Sequence, residues 1–382
     1  MSGLFEPSES QALVQETARS YAQKTLAKVA AQLDREARFP AAQLRELAEL
    51  GLMGVNVPEE LGGAQAGAVA YVLAMMEIAQ GCASTAVTMA VNNMVAETIV
   101  RFGTPEQARR YVPEITSGRF AAASFGLSEP HSGSDAAAMR TVARREASGW
   151  VLNGSKQWIT SGDRAGVIIV WARTDTSVSA AKGISCFRVE GGSPGLGIGR
   201  HEEKMGIRAS STVSLSLEDL RLPETAMLGA PGQGFTIAMA ALEGGRLGIA
   251  AQAVGIGTAA LQAAVRYARD RKAFGRPIGD YQALRFMLAD VDTELAAARL
   301  LVLRASALKE AGRPFTREGS MAKLFASEKA NRACDVAVQV HGGYGYIDEF
   351  PVERYYRDAR VTTIYEGTSE IQRMVIARDV LR

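Results

Sequence analysis

The chain of 382 residues is predicted to be mostly α-helical with a central β domain: an N-terminal helical bundle, a small antiparallel β domain and a C-terminal four-helix bundle. Three observations predict this. Helix-length segments rich in Ala, Leu and Gln, separated by stop signals, fill both ends of the chain. Gly, Ser, Thr and Val dominate between about 120 and 230, and beyond Asp280 a narrow apolar seam repeats in steps of four and three. At roughly 150 residues per domain, the length fits two or three such units.

The elements follow in order. From residue 8 to 119, breaks at Phe39-Pro40, Gly51 to Gly54, Pro58 to Gly63 and Gly103-Thr104-Pro105 divide the segment into five or six helices. Trp150 to Asn153, Val167 to Ala172, Ile184 to Val189 and Thr212 to Leu217 read as strands, and Asn153-Gly154 as a type I′ hairpin turn, since both central positions need φ > 0. Gly195-Leu-Gly197-Ile-Gly199 reads as a loop. After Gly234 helices return. Leu284, Leu288, Val291, Leu295, Ala298, Val302 and Ala305 form the seam, which Gly312 and Pro314 terminate. The domains are placed at 1–119, 120–231 and 232–382. Gly255-Ile-Gly257-Thr-Ala-Ala260 fits a dinucleotide fingerprint but lies in a helical stretch with no strand before it, so its small residues are expected to allow close helix packing.

Composition excludes several functions. The 43 Lys and Arg against 41 Asp and Glu leave a net charge of +2, without the dense basic surface that phosphate-backbone binding needs, so nucleic acid is not expected as a partner. Cys82, Cys186 and Cys334 cannot form a disulfide framework, and with His131, His201 and His341 they show no zinc-like spacing; no metal site is expected. No apolar stretch reads as long enough to span a membrane, and the opening MSGLFEPSES lacks the parts of a signal peptide, which predicts a cytoplasmic protein. Chemistry must rest on carboxylates, hydroxyls or a cofactor.

Three clusters are candidates. Phe125 to Asp135 is an irregular, hydroxyl-rich turn that reads either as a binder of an anionic or heterocyclic ligand or as a domain junction. Trp158-Ile159-Thr160 sets an aromatic face beside a hydroxyl and reads either as core or as a cofactor platform. In Val361 to Glu370, Glu366 between Tyr365 and Gly367 reads either as a partly desolvated base or as a surface carboxylate; Thr368 is a candidate N-cap.

Taken together with Glu243-Gly-Gly-Arg246, Arg271-Lys-Ala-Phe274-Gly275 and Gln339-Val-His-Gly-Gly343, these clusters resemble the acyl-CoA dehydrogenase family across essentially the whole chain. Val91-Asn-Asn93, Gly245 to Ala250 and Tyr365 to Gln372 are most similar to its short-chain, butyryl-CoA type. The resemblance implies a middle β-barrel, a homotetramer, and FAD between the β domain and the C-terminal bundle. It implies a trans α,β double bond introduced into an acyl-CoA, with Glu366 removing the α-proton, hydride passing to flavin N5, and electrons going to electron-transferring flavoprotein. By the same resemblance Phe125, Leu127, Ser128, Trp158, Ile159 and Thr160 would surround the flavin, and Ser134 would touch both cofactor and CoA. Arg271, Phe274, Gln282, Gln339, Gly342 and Gly343 would reach the rest of FAD across subunits, with Thr368 and Glu370 completing its site. Glu243, Arg246, Tyr365 and Gly367 would bind substrate, over a pocket floor at Thr88, Met89, Asn92, Asn93 and Met94 together with Gly244-Gly245 and Tyr365. The family pattern is departed from at His131, which stands for a glycine, at Gly126, and at Arg285. The same chemistry on a branched, cyclic or carrier-bound acyl group is the alternative, and a flavin-binding scaffold, a DNA-associated relative or an oxygen-reducing oxidase a more distant one.

Overall fold

The computed structural model describes residues 7–382; residues 1–6, where the leader reading began, lie outside them. The N-terminal layer holds α1 (Glu9–Tyr21), α2 (Ala27–Arg35), α3 (Ala41–Glu49), α4 (Gly67–Gly81), α5 (Ala83–Phe102) and α6 (Pro105–Thr116). A π turn over Ala22–Leu26 joins α1 to α2. Both α1 and α6 open with reciprocal capping boxes, at Ser8 with Gln11 and at Thr104 with Gln107, which satisfy N–H groups that a helix start leaves unpaired. By contrast α4 and α5 are buried almost all round, so they read as apolar without a polar face.

The middle layer is a sheet of β1 (Ala122–Gly126), β2 (Val142–Glu146), β3 (Gly149–Thr160), β4 (Ala165–Arg173), β5 (Ile184–Glu190), β6 (Leu196–His201), β7 (Thr212–Leu222) and β8 (Met227–Leu228). Its order is β6-β7-β3-β2-β4-β5-β8, with β1 paired to β4, and no closing pair between β6 and β8 is among its ladders. The sheet is mixed, not wholly antiparallel. β1 arrives straight from the helical layer and lies parallel to β4, because the chain runs through a long loop and the β2–β3 hairpin before β4 begins.

Two local readings are corrected. Asn153-Gly154 is not a turn: β3 continues through it, and both flanks pair with β7 across a register shift. Gly154, at φ 152, lies against Thr141, where a Cβ would collide, and Asn153 instead bonds Asp219 on the bulged partner strand at 3.0 Å. The glycine-rich 195–199 stretch is strand β6, its glycines allowing Ser214 and Ser216 of β7 to lie close. A two-residue turn with both φ positive does occur, at Phe274-Gly275 between β9 (Lys272–Ala273) and β10 (Arg276–Pro277).

The last layer contains α7 (Gly234–Asp270), α8 (Gln282–Glu310), α9 (Thr316–His341), α10 (Val352–Arg360) and α11 (Ser369–Val380). α7, α8 and α9 pack on one another, and α7 and α8 also on α4, so one core runs through both helical layers. On α8, Val291, Leu295, Ala298, Val302 and Ala305 are buried as the seam predicts, whereas Leu284 and Leu288 are only half-buried. Within α7, a Cβ at Gly257 would stand 2.7 Å from Leu295, which supports close packing there over nucleotide binding. Contrary to the hydropathy reading, α7 is long and apolar enough to cross a membrane by composition alone; 78% of that stretch is buried in this bundle, as in the core helix of a globular fold. All three cysteines are free and buried. The layers are tied by Arg357, which holds Asp34 at 2.8 Å, and by Asp358, which accepts the Ile207 N–H at 2.5 Å.

Candidate active site

Between α10 and α11 the chain turns through Glu366 and Gly367, both left-handed, at φ 54 and φ 88. A non-glycine residue persists in such a conformation only where its surroundings over-determine it. Here the Tyr365 hydroxyl donates to Gln252 inside α7, Gln372 Nε2 donates to the Glu366 carbonyl at 3.2 Å and to the Gly367 carbonyl at 2.9 Å, and Lys323 Nζ donates to the latter at 2.7 Å. Thr368 caps α11 as expected, accepting the Ile371 N–H at 3.3 Å, and Glu370 lies exposed in its first turn.

The Glu366 carboxyl oxygen Oε2 is buried with no hydrogen-bond partner. Burial pushes this acid up to about 7, against the pull of the Arg246 and Lys323 cations. It rests on the bare backbone of α7: a Cβ at Gly245 would stand 2.5 Å from Oε2. Gly245 also lines a cleft of about 550 Å³, whose other walls include Glu243, Met94, Tyr71, Lys309 and Thr316. Arg246 is buried, with Nη1 3.4 Å from Ser320 Oγ and Nε unpartnered. Of the expected floor Met94, Gly244 and Gly245 line this cleft, while Tyr365 turns to Gln252 in α7. Thr88, Met89, Asn92 and Asn93 are fully buried, and both asparagines serve the backbone: Asn92 accepts the Ala123 N–H and Asn93 the Val55 N–H, each at 2.8 Å.

A second group gathers where β1 and β3 end. Phe125 leans on Trp171 with ring centroids 4.3 Å apart, Leu127 is buried and Ser128 half-buried. Trp158 is not core: a bulge at φ 58 turns it outward, leaving it 59% exposed beside Thr160. Ile159 points into the β core, so only its backbone faces this shelf. The loop is shaped by a buried ion pair, Lys156 to Glu129 at 2.8 Å, and Glu129 also accepts the Arg140 and Thr141 N–H groups. Because Glu129 and Ser132 exchange backbone hydrogen bonds, His131 is carried to the outside, 3.5 Å from Glu129, and Ser134 stays exposed.

A third group surrounds a cleft of about 410 Å³ lined by Arg271, His341, Gly342 and Gly343. Gln339 and Gln282 are exposed, and Phe274, at φ 51 on its hairpin tip, is 96% exposed. Arg285 is taken up locally by Asp280 and the Gly279 carbonyl. Three of the site residues read from sequence, Trp158, Phe274 and Glu366, are thus non-glycine residues with positive φ. Sequence reasoning missed Lys156, Lys323, Tyr71, Lys309 and Thr316. Lys323 left a signal: it falls on the small-residue seam of α9, with Gly319, Ala326 and Ala330, where a cation is out of place.

Profiles of three domains match the chain: the acyl-CoA dehydrogenase N-terminal domain over residues 8–119, its middle domain over 124–220 and its C-terminal domain over 232–381. The chain belongs to the acyl-CoA dehydrogenase family. Within the family it is 52% identical to the mitochondrial short-chain specific acyl-CoA dehydrogenase of Bos taurus, over 98% of this chain and 90% of that one. Its fold matches butyryl-CoA dehydrogenase from Megasphaera elsdenii with a TM-score of 0.96 at 40% identity, covering 99% and 100% of the two chains. A chain from the structure of the electron transferring flavoprotein of Acidaminococcus fermentans matches at 0.97 and 42%, covering 99% of both. A Mycobacterium smegmatis glutaryl-CoA dehydrogenase in complex with FADH2 matches at 0.92 and 30%, covering 98% and 95%. The chain is therefore an oxidoreductase of a flavoprotein family. The residues present fit a flavin: Trp158 offers an open aromatic face, with hydroxyls at Ser128 and Thr160 beside it, and Arg271 lines the distant cleft with glycines that admit a close backbone approach.

Proposed function

We propose that the chain is an FAD-dependent dehydrogenase of short-chain acyl-CoA thioesters, with Glu366 as the base that removes the α-proton. One observation carries the reading: a carboxyl pushed up to about 7 stands against the side-chain-free wall of a cleft at Gly245. A thioester α-proton is far too weakly acidic for a carboxylate of ordinary pKa, whereas a base near 7 holds the proton more tightly yet is half ionised at neutral pH. The proton goes to Glu366 as the α-carbon's C–H bond breaks, and the electron pair left behind becomes the new α,β double bond. FAD, when bound, supplies the acceptor for the hydride that leaves the β-carbon. The enolate charge that develops meets the buried Arg246 and Lys323 cations behind Glu366 and the backbone N–H groups of its left-handed turn.

A short acyl group suits the cleft. Beside apolar Met94, Ala241 and Phe315 its lining carries Glu97, held by Lys309 at 2.7 Å and by Asn56 at 2.8 Å, a polar group that a longer hydrocarbon would have to pass. Electron-transferring flavoprotein is proposed as acceptor on the likeness to the Acidaminococcus structure, and a homotetramer on the exposed Phe274 tip and the outward Phe286 and Leu300 of α8.

The test is the visible spectrum of the purified protein before and after butyryl-CoA. Bleaching of a flavin band is expected, slowed at least 10²-fold in Glu366→Gln. Wild-type bleaching in that variant overturns the base, and best activity on C10 or longer chains overturns the short-chain assignment.

A further inference from the structure

We propose that Lys323 is a positioning residue for the base: through the Gly367 carbonyl its ammonium holds the left-handed Glu366-Gly367 turn and keeps a positive charge behind the carboxylate. This rests on Glu366 as the base. Lys323 is fully buried in α9, 2.7 Å from the carbonyl it serves, and forms no ion pair among those of the described residues. A buried ammonium without a carboxylate partner is costly, and at a site of pure packing a methionine of similar length would fit better. The charged groups that face it are Glu366 from the turn, Arg246 from α7, Glu370 from α11 and Glu328 from its own helix. Burial brings the ammonium down to about 8, so it remains mainly charged at neutral pH.

Lys323 and Gln372 converge on the Gly367 carbonyl from different helices, α9 and α11. Together they fix the peptide that follows the base, beside a glutamate whose left-handed φ no ordinary preference supports. Gln372 supplies only geometry. Lys323 supplies geometry and a charge, and the charge can be measured separately.

The experiment compares purified holoenzyme with K323M and K323R by the pH dependence of the second-order rate of flavin reduction by butyryl-CoA, which reports the free enzyme's base. K323M is expected to move the ascending limb up by about one pH unit. The rate at pH 7 then falls about fivefold and recovers at higher pH, while K323R keeps the limb in place. A residue that only packs would lower the rate at every pH, so an unmoved limb in K323M overturns the proposal. If K323M does not fold, K323Q is read by the same criterion. Should neither neutral variant fold, a K323R limb displaced by that same unit overturns the proposal and an unmoved one supports it. Failure of the underlying reading looks different: E366Q would then reduce flavin at the wild-type rate.

Discussion

Gly245→Ala should separate activity from stability. An added Cβ would stand 2.5 Å from Glu366 Oε2 and 3.1 Å from Met94 Sδ, where ordinary contacts begin near 3.4 Å. The carboxyl must therefore retreat by about 0.9 Å. Because the obstacle is the far end of a flexible side chain, the fold can accommodate this cheaply, and alanine inside a helix is favoured over glycine by roughly 0.5–1 kcal/mol. The reacting atom tolerates no such shift: about 1 Å of misplacement costs on the order of 10²-fold in rate. Stability unchanged or slightly raised, flavin content intact, and flavin reduction slowed about 10²-fold is the expected combination. Urea unfolding, the absorbance ratio of bound flavin to protein, and stopped-flow reduction by butyryl-CoA read the three quantities. Gly244→Ala, whose Cβ meets only the Lys309 ammonium at 3.3 Å, should slow reduction far less. A Gly245→Ala enzyme within threefold of the wild type would refute the contact as the source of the base's placement.

The remaining predictions concern the charges and the flavin shelf. Since the Glu366 pKa rises from 4.5 to about 7 on folding, the native state binds this proton more tightly than the unfolded chain; its stabilising contribution is complete below about pH 4.5 and is lost as pH rises towards 7. Relative to Glu366→Gln, the wild type should lose on the order of 3 kcal/mol across that window, and a difference in unfolding free energy that stays flat with pH would contradict the burial argument. Lys156→Met leaves Glu129 buried without its cation and held by backbone N–H groups, so a loss of about 3 kcal/mol together with poor flavin retention is expected; full flavin content at near-native stability would show that the loop does not depend on the pair. Trp158→Ala removes a mostly exposed side chain, so the unfolding free energy of the flavin-free protein should barely change while the FAD dissociation constant rises about tenfold; wild-type affinity in a titration would remove Trp158 from the flavin shelf.

The helical layers were legible because periodicity and stop signals are local: from Val291 to Ala305 the α8 seam, and the Gly312 stop, stand where spacing put them. What failed in the β domain depends on partners distant in sequence. Asn153-Gly154 has the composition of a turn, yet pairing with β7 on both sides carried the strand straight through, while the true turn of that type fell on Phe274-Gly275, whose glycine suits it but whose phenylalanine does not. Parallel pairing of β1 leaves no mark in β1 itself. Among the residues gathered in the candidate site, Glu366, Trp158 and Thr160 could be picked out from the sequence, but Lys156 and Lys323 could not. Both are ordinary lysines until folding places one beside Glu129 and the other beneath Gly367.

On the proposed reading, two buried cations near Glu366 set how the site would work. A base that removes an α-proton must be weak enough as an acid to hold that proton and strong enough to be ionised before it arrives. Burial alone would lift Glu366 too far, leaving it protonated at neutral pH; exposure would return it towards 4.5. The structure sets burial against two cations, Arg246 from α7 and Lys323 from α9, and the balance falls at about 7. Adjacent positions on α7 perform opposite tasks, Gly245 removing bulk from the carboxyl and Arg246 adding charge. The turn between α10 and α11 supplies the acid, and α9 and α11 clamp its backbone. Three separate segments must therefore be packed together before the pKa exists at all. A peptide carrying Tyr365 to Gln372 would hold every residue of the motif and still titrate as an ordinary glutamate.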